Sequence, residues 1–277
     1  MTALGNPAHL LPPSWKTQIT GWLAEDAPSF DYAGYVVGEG ERTATLLAKS
    51  PGVLAGRPFF DEVFAQTGCR VTWHVAEGSA LPATPSAATP AACATVTGPV
   101  RGILLGERVA LNALARCSGI ASASASLLAR LRAAGWPGVL AGTRKTTPGF
   151  RLVEKYGLLV GGADPHRMDL SAMVMLKDNH VWSRGGRIAD AVAAARAAAG
   201  FSAKVEVEVR SEAEADAAVA AGADVVMLDN FAAGEVAAVA AALKARWAGG
   251  GGHVDIISTS SIHQGVRHVD FSLKLDH

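Results

Sequence analysis

A chain of 277 residues, 49% of them hydrophobic, is long enough to bury a substantial core in one large domain or in two. Its 25 Lys and Arg residues balance 25 Asp and Glu residues, so overall charge gives no reason to expect nucleic-acid or membrane binding. No stretch approaches the roughly 20 consecutive apolar residues that span a bilayer. The 3 cysteines are widely spaced and form no zinc or redox motif. These features predict a cytoplasmic protein with reduced cysteines and with neither nucleic acid nor membrane as a partner.

The N-terminal part of the chain alternates between helical and strand-like patterns. Ser14 is expected to cap a helix that runs through Trp22, and residues 59–66 are typical of a second helix with its phenylalanines on the buried side. The Ala-, Pro- and Thr-rich stretch 79–98 predicts a loop or linker. Strands are expected at 35–37, 43–48 and 71–75. Together these segments predict a small α+β unit without a catalytic cluster of its own.

The rest of the chain combines one long helix with repeated strand–helix units. The helical pattern runs from about residue 103 to 134, and Gly119 is expected to bend or split it at a cost of roughly 1 kcal/mol relative to Ala. Arg108 lies in this helix, where composition alone favours a solvated surface arginine. From residue 139 onwards the spacing suits βα units in a parallel barrel, and the tail 268–275 is expected to be a strand that returns to the first unit. The expected strands are 139–142, 173–177, 203–209, 224–229 and 254–258, and the expected helices are 188–199, 211–221 and 233–247.

Positive charge is concentrated after two of these strands. Arg144 and Lys145 follow the run 139–142, in a Thr-rich segment that contains a Pro-Gly turn. Ligands of α/β folds bind at the carboxyl ends of the strands, and the chain has no overall excess of cations. The clustering therefore predicts a pocket for a polyanion, although each histidine alone is a weak signal because structural histidines are commoner. Further members of the cluster are His166, Arg167, Lys177 and His180.

Charges also alternate with valines in the segment 204–209. Period two places Lys204, Glu206 and Glu208 on one face of a strand. An exposed antiparallel strand would explain this pattern. The βα context favours a barrel interior that carries catalytic carboxylates, because strands of a parallel sheet are covered on both faces. Asp229 ends the next apolar run, and it is expected either to cap the following helix or to act with Glu208 on a cation or on developing positive charge.

These residues stand in longer motifs that resemble a known family. The motifs are Ser50–Gly56, Gly106–Asn112, Gly142–Arg151, Lys155–Gly157, His166–Arg167, Lys177–His180, Val205–Glu208 and Leu228–Phe231. In length and order they resemble the quinolinate phosphoribosyltransferases, the decarboxylating enzymes of pyridine nucleotide synthesis, and among these the animal-type members. The resemblance runs from the first helix to about Lys244 and resumes over 254–275.

The resemblance implies a fold and a reaction. The implied α/β fold has an N-terminal α/β sandwich domain over residues 1–115 and an incomplete parallel α/β barrel over 116–267. A C-terminal strand, 268–277, returns to the first domain. The implied reaction transfers ribose 5-phosphate from phosphoribosyl pyrophosphate to quinolinate with the help of magnesium. It releases pyrophosphate and carbon dioxide and gives nicotinate mononucleotide for NAD biosynthesis.

The resemblance also implies roles for individual side chains. Glu208 and Asp229 would face the ribose and hold Mg²⁺, and Lys145 and Lys177 would join them as catalytic residues. Arg108 would reach the active site of a neighbouring subunit, which replaces the surface interpretation of this arginine. The assembly would be a homo-oligomer, either a dimer or a hexamer of dimeric units. The carboxylates of quinolinate and the pyrophosphate would be bound by Thr143, Arg144, Lys145, His166, Arg167 and Lys177.

The sequence departs from the family pattern near residue 250. After Trp247 the family has another strand, a Ser-Gly-Gly-Ile phosphate-binding loop and a helix, whereas here Ala248–Gly252 leads directly to His253. A later phosphate turn also lacks its glycine in Ser258–Ser261. The barrel is therefore expected to be short of one βα unit near 248–253. Besides active phosphoribosyl transfer, this leaves open a catalytically impaired isoform or paralogue that binds quinolinate or assembles with intact subunits. A barrel acting on another dicarboxylate and sugar phosphate is a third hypothesis.

Overall fold

A computed structural model describes residues 5–82, 90–247 and 254–276 of the chain. A short 3₁₀ helix, Pro7–Leu10, precedes the regular elements. The α-helices are α1 Trp15–Asp26, α2 Tyr32–Val37, α3 Arg57–Gln66, α4 Val100–Ala133, α5 Arg151–Val160, α6 Asp178–Trp182, α7 Ile188–Ala199, α8 Glu212–Ala220 and α9 Ala233–Trp247. The strands are β1 Glu41–Ala48, β2 Gly52–Val53, β3 Arg70–Trp73, β4 Ala80–Leu81, β5 Ala91–Pro99, β6 Val139–Ala141, β7 Val174–Leu176, β8 Val205–Val209, β9 Val225–Leu228, β10 Ile256–Ser258 and β11 Phe271–Leu275.

The chain divides into two compact units, and neither is continuous in sequence. The boundary runs through the short strands β6 and β10. In the first unit the Thr259 N–H donates to the Ala141 carbonyl, and in the second the Val139 N–H donates to the Asp255 carbonyl. The first unit comprises Met1–Gly135, Leu140–Pro165 and Ser258–His277, and the second comprises Trp136–Val139 and His166–Ile257.

The first unit is built on an antiparallel sheet with the strand order β11-β1-β5-β3. The predicted return of the C-terminal tail is confirmed, because Leu273 of β11 pairs with Leu46 of β1. Helices α3 and α4 pack together beside this sheet. The expected buried face of α3 is also confirmed, since its apolar side chains at 59, 60, 63 and 64 are all buried.

Helix α4 passes through Gly119 without a break, so the expected split is wrong, whereas the expected bend remains a prediction. A Cβ atom at this position would lie 2.2 Å from the carbonyl oxygen of Arg267. The glycine therefore permits the close approach of another backbone segment to the helix. Its propensity cost is outweighed by the packing of the rest of the helix, because tertiary contacts routinely override helix propensity.

Two other sequence expectations for this unit are wrong. Residues 35–37 belong to helix α2 and not to a strand, because the Asp31 side chain accepts a hydrogen bond from the Gly34 N–H at 2.8 Å and caps the helix. Of the stretch predicted as a loop or linker, residues 91–98 lie in β5, between β1 and β3. Its small side chains conceal the strand signal, yet Cys93, Ala94 and Val96 are fully buried there. Residues 83–89 of the same stretch lie outside the described part of the chain.

The second unit contains a parallel sheet with the order β7-β8-β9. Val205, Val207 and Val209 of β8 are fully buried in a core that helices α7 and α8 complete. The predicted helices of this unit are confirmed, with α7 and α9 beginning and ending at the expected residues. The α/β class is confirmed as well, whereas the barrel and the domain limits remain predictions.

The region where the sequence departs from its family pattern lies largely outside the residues that the structure describes. Helix α9 ends at Trp247 and β10 begins at Ile256, and the predicted loss of a βα unit falls on residues 248–253, which are outside the described residues. Among the described helices, none combines the length and the apolar character needed to cross a membrane.

Candidate functional site

The first group of predicted site residues lies in the first unit, in the segment 142–150 that joins β6 to α5. We call this segment the cation loop, because it carries Arg144 and Lys145, whose side chains are both exposed. The Thr143 N–H donates to Nε2 of His263 at 3.1 Å, and the Lys145 N–H donates to Oγ1 of Thr143 at 3.1 Å. The loop is irregular in conformation, but side chains hold its backbone in place.

Arg108 lies in the first third of helix α4, away from the cation loop in sequence. Its side chain is 63% exposed, and its guanidinium is 4.0 Å from the carboxylate of Glu107 in the preceding position. Within this chain the arginine therefore has the environment of a surface residue. The role implied by the family resemblance, in a neighbouring subunit, remains a prediction.

The second group lies at the carboxyl ends of the parallel strands of the second unit. Leu176 of β7 is paired with Val207 of β8, and the next residue on each strand carries a charge. Nζ of Lys177 is 2.6 Å from Oε2 of Glu208, and the side chains are 45% and 17% exposed. The backbone N–H of Lys177 donates to Nδ1 of His180 at 3.0 Å, which fixes the start of α6 and gives His180 a structural contact.

Asp229 belongs to the same face as Glu208. Glu208 is paired with Met227 in the parallel ladder, and Asp229 follows two positions later, so period two brings its side chain to that face. The Asp229 N–H still donates to the Val209 carbonyl, which extends the ladder to this residue. Helix α9 begins only at Ala233, so the alternative prediction of Asp229 as its cap is wrong. The next residue, Asn230, has a positive φ of 60° and donates to the Asp229 carboxylate at 2.6 Å.

Glu206 lies on the charged face of β8, for which the sequence predicted catalytic carboxylates without giving this residue a role. Its side chain is almost fully buried, and Oε2 lies 3.0 Å from Nε2 of His166. His166 has a positive φ of 56°, a conformation that costs energy for a residue with a Cβ. Arg167 is 8% exposed. The alternation of charge with valine was the signal for Glu206, since a charge on a covered strand requires a partner.

A group of buried polar side chains behind the cation loop was not predicted from the sequence. Glu154 and Lys155 are each 1% exposed, and His263 is fully buried. Burial lowers the pKa of His263, and the positive charges of Lys155, Arg116 and Lys145 act in the same direction, while Glu154 opposes them. The available signal was this adjacent pair of charges between the apolar residues of α5.

The carboxylates of Glu208 and Asp229 are suitable ligands for a magnesium ion. Mg²⁺ prefers oxygen donors and commonly binds through one or two carboxylates together with substrate phosphates and water. In the described part of the chain, no cluster of three or more His, Cys, Asp or Glu side chains could hold a metal ion. The donor set therefore fits a magnesium ion that arrives with a phosphorylated ligand, and it does not fit a site made only of protein ligands.

Comparisons with known proteins agree over almost the whole chain. Family models described as the N-terminal and C-terminal domains of quinolinate phosphoribosyl transferase match residues 31–118 and 120–251. The sequence is 52% identical to a human protein named nicotinate-nucleotide pyrophosphorylase (carboxylating), over 97% of this chain and 94% of that protein. The protein of the same name from Dictyostelium discoideum is 46% identical, over 95% and 97% of the two chains. The structure of NadC from Streptococcus pyogenes is 35% identical and aligns with a TM-score of 0.83, over 96% of this chain and 98% of that one.

Proposed function

This chain belongs to the quinolinate phosphoribosyl transferase family, and we propose that it transfers ribose 5-phosphate from phosphoribosyl pyrophosphate to quinolinate. The products are nicotinate mononucleotide, pyrophosphate and carbon dioxide, which makes the reaction a step of NAD biosynthesis. The single observation that supports this assignment best is the arrangement of Lys177, Glu208 and Asp229 at the carboxyl ends of adjacent parallel strands. Ligands of parallel α/β sheets bind at this edge.

The reaction requires cationic side chains that bind the anionic substrate groups, and carboxylates that act on the sugar. The leaving pyrophosphate and the two quinolinate carboxylates are anionic, and guanidinium and ammonium groups bind such groups with charge-assisted hydrogen bonds. We assign this role to Thr143, Arg144, Lys145, His166, Arg167 and Lys177.

Glu208 and Asp229 have the complementary role. When the bond from the sugar carbon to pyrophosphate breaks, its electrons leave with pyrophosphate and the ribose becomes oxocarbenium-like. Fixed carboxylates stabilise that positive charge. The pyridine nitrogen then forms the new bond with its lone pair, and the ring becomes cationic. The carbon–carboxylate bond next to the nitrogen breaks, its electrons return to the ring, and carbon dioxide leaves while a proton from solvent takes its place.

We further propose that Glu208 and Asp229 hold a magnesium ion in the loaded enzyme. Such an ion supplies positive charge that offsets the charge of the pyrophosphate group. The ammonium of Lys177, 2.6 Å from Glu208, holds this carboxylate in place and limits its negative charge.

The quaternary structure and the compartment are also part of the proposal. Arg108 is exposed on α4 and has no described role within its own chain beyond its contact with Glu107. We propose that it completes the site of a second copy in a homo-oligomer, of which twofold assemblies are the commonest kind. The free, buried cysteines 69, 93 and 117 fit a protein of the reducing cytoplasm.

The test is release of pyrophosphate from phosphoribosyl pyrophosphate with quinolinate as acceptor, compared with nicotinate. We expect pyrophosphate to be released when quinolinate is the acceptor and not when nicotinate is. Equal rates of release with the two acceptors would contradict the assignment. The sequence at 248–253 favours one alternative, an impaired isoform that still binds quinolinate. Titrating quinolinate and phosphoribosyl pyrophosphate separately and then assaying turnover distinguishes the active enzyme from the impaired isoform. The impaired isoform would bind quinolinate without turnover.

A further inference from the structure

Two neighbouring residues of one helix hold the cation loop on either side of Arg144 and Lys145. Lys155 of α5 donates from Nζ to the carbonyl oxygen of Thr143 at 2.8 Å, and also to the carbonyl oxygen of Pro165. Thr143 directly precedes Arg144. The loop is therefore fixed just before the two cations by a side chain that is only 1% exposed.

Glu154, the residue before Lys155, holds the loop after the two cations. Its Oε2 accepts from the Thr147 N–H at 3.1 Å, and its Oε1 accepts from Oγ1 of Thr147 at 2.9 Å. Two bonds to one residue fix both its position and its orientation. Arg144 and Lys145 lie between the two attachment points, with Thr146 as the only other residue.

The charge of Glu154 is balanced from a different element. Arg116 of α4 donates from Nε at 3.0 Å and from Nη2 at 2.9 Å to Oε1 of Glu154. The same guanidinium donates to the carbonyl of His263 at 2.5 Å. The contact between Glu154 and Thr147 is therefore supported by Arg116 of α4 as well as by helix α5.

A purely local role does not account for this arrangement. An acidic residue in the first turn of a helix is favourable there for electrostatic reasons alone, and Glu154 occupies such a position. However, that role requires neither burial nor contacts with the preceding loop. Burying an ammonium or a carboxylate is costly unless the group is fully hydrogen-bonded, and the bonds described here go to Thr143 and Thr147, on either side of the two cations.

We infer that Glu154 and Lys155 are positioning residues, which hold Arg144 and Lys145 in place for the anionic substrate. The inference rests on the proposed function, because it names quinolinate as the ligand of these cations. Neither positioning residue needs to touch the substrate. Their effect is to keep the cations ready, so that binding does not have to order the loop.

The experiment combines hydrogen exchange of the loop with substrate binding. Thr147→Val removes the hydroxyl donor and leaves the Glu154–Arg116 pair intact, and Glu154→Gln removes the charge. In both variants the amides of the cation loop are expected to exchange faster without substrate. Calorimetry is expected to show the quinolinate Kd raised by about tenfold or more, and kcat/KM is expected to fall by about 10- to 100-fold.

Two controls separate positioning from stability. Thr147→Ser keeps the hydroxyl and is expected to restore wild-type exchange and affinity. Glu77 is a second carboxylate of the first unit that accepts two backbone N–H groups, from Gly56 at 2.7 Å and from Arg57 at 3.2 Å. Glu77→Gln therefore removes a comparable charge without touching the cation loop, and its quinolinate Kd is expected to stay within about twofold of wild type.

The outcomes are distinguishable. Unchanged exchange and unchanged quinolinate Kd in Thr147→Val would overturn the inference even if Glu154→Gln fails to fold. An equal loss of affinity in Glu77→Gln and Glu154→Gln would also overturn it, because general destabilisation would then explain both. A wild-type chain that neither binds quinolinate nor releases pyrophosphate would overturn the proposed function itself, whatever the exchange rates.

Discussion

Replacing Glu208 by Gln removes one charge from the ion pair with Lys177 and keeps the size of the side chain. The carboxylate is 17% exposed and the ammonium 45% exposed, so water screens their attraction. The pair is therefore expected to contribute about 1 kcal/mol to the free energy of unfolding, as partly exposed pairs do. For a chain of this size such a loss lowers Tm by roughly 2–4 °C.

The expected effect of Glu208→Gln on turnover is much larger than its effect on stability. A fixed group that stabilises charge in the transition state contributes on the order of 10²- to 10³-fold in kcat, or about 2.7–4 kcal/mol. Arg144 and Lys145 are untouched by the substitution, and Lys177 keeps its own charge although it loses its ion-pair partner. The quinolinate Kd is therefore expected to change by less than about threefold. A low kcat with nearly unchanged affinity and stability is therefore the expected signature.

The assay is steady-state release of pyrophosphate, with thermal unfolding and quinolinate calorimetry on the same preparation. Glu212→Gln is a matched control, because Glu212 forms an exposed ion pair with Arg246 over the same 2.6 Å and has no assigned role in binding or catalysis. It is expected to leave kcat unchanged. A kcat for Glu208→Gln within about threefold of wild type would refute the reasoning, and so would an equal loss of kcat in the control.

Three further predictions address other parts of the proposal. Arg144→Ala is expected to weaken quinolinate binding by about 2 kcal/mol or more, roughly thirtyfold in Kd. The control is Arg130→Ala, which removes an exposed arginine at the end of α4. If calorimetry gives the same Kd for both variants, Arg144 does not belong to the site. Chelation of divalent cations is expected to stop pyrophosphate release, and added magnesium is expected to restore it. The Asp229→Asn variant is expected to need about tenfold more magnesium for half the maximal rate. Turnover in excess chelator would contradict the metal proposal. Burial lowers the pKa of His263 in the folded protein below 6.5. Below pH 6.5 the unfolded chain therefore binds a proton at this residue more readily than the folded chain does. This residue is expected to lower the free energy of unfolding towards acid pH by up to about 1.4 kcal/mol per pH unit. Urea titrations of His263→Gln are expected to lack this contribution, and identical pH slopes in the two proteins would refute it.

Several features of this protein follow from the sequence alone, because short-range patterns determine them. Alternation of valine with charge identified β8 and put Glu206 and Glu208 on one face of this strand. The Ala-rich helices α7 and α9 begin and end at the predicted residues. The position of Arg144 and Lys145 just after a strand was likewise readable from residues close in the chain. In each case the local period of the sequence specifies the element.

Tertiary structure decided what depends on partners far apart in sequence. The small residues of β5 have a weak strand propensity, and only their place between β1 and β3 makes them part of the sheet. Glu206 acquires its contact from His166, 40 positions away. Glu154 is 38 positions from Arg116, so the sequence near Glu154 does not reveal the partner that balances its charge. Burial and charge pairing are properties of the folded chain, and for that reason the sequence located the exposed cations but not the buried residues that hold them.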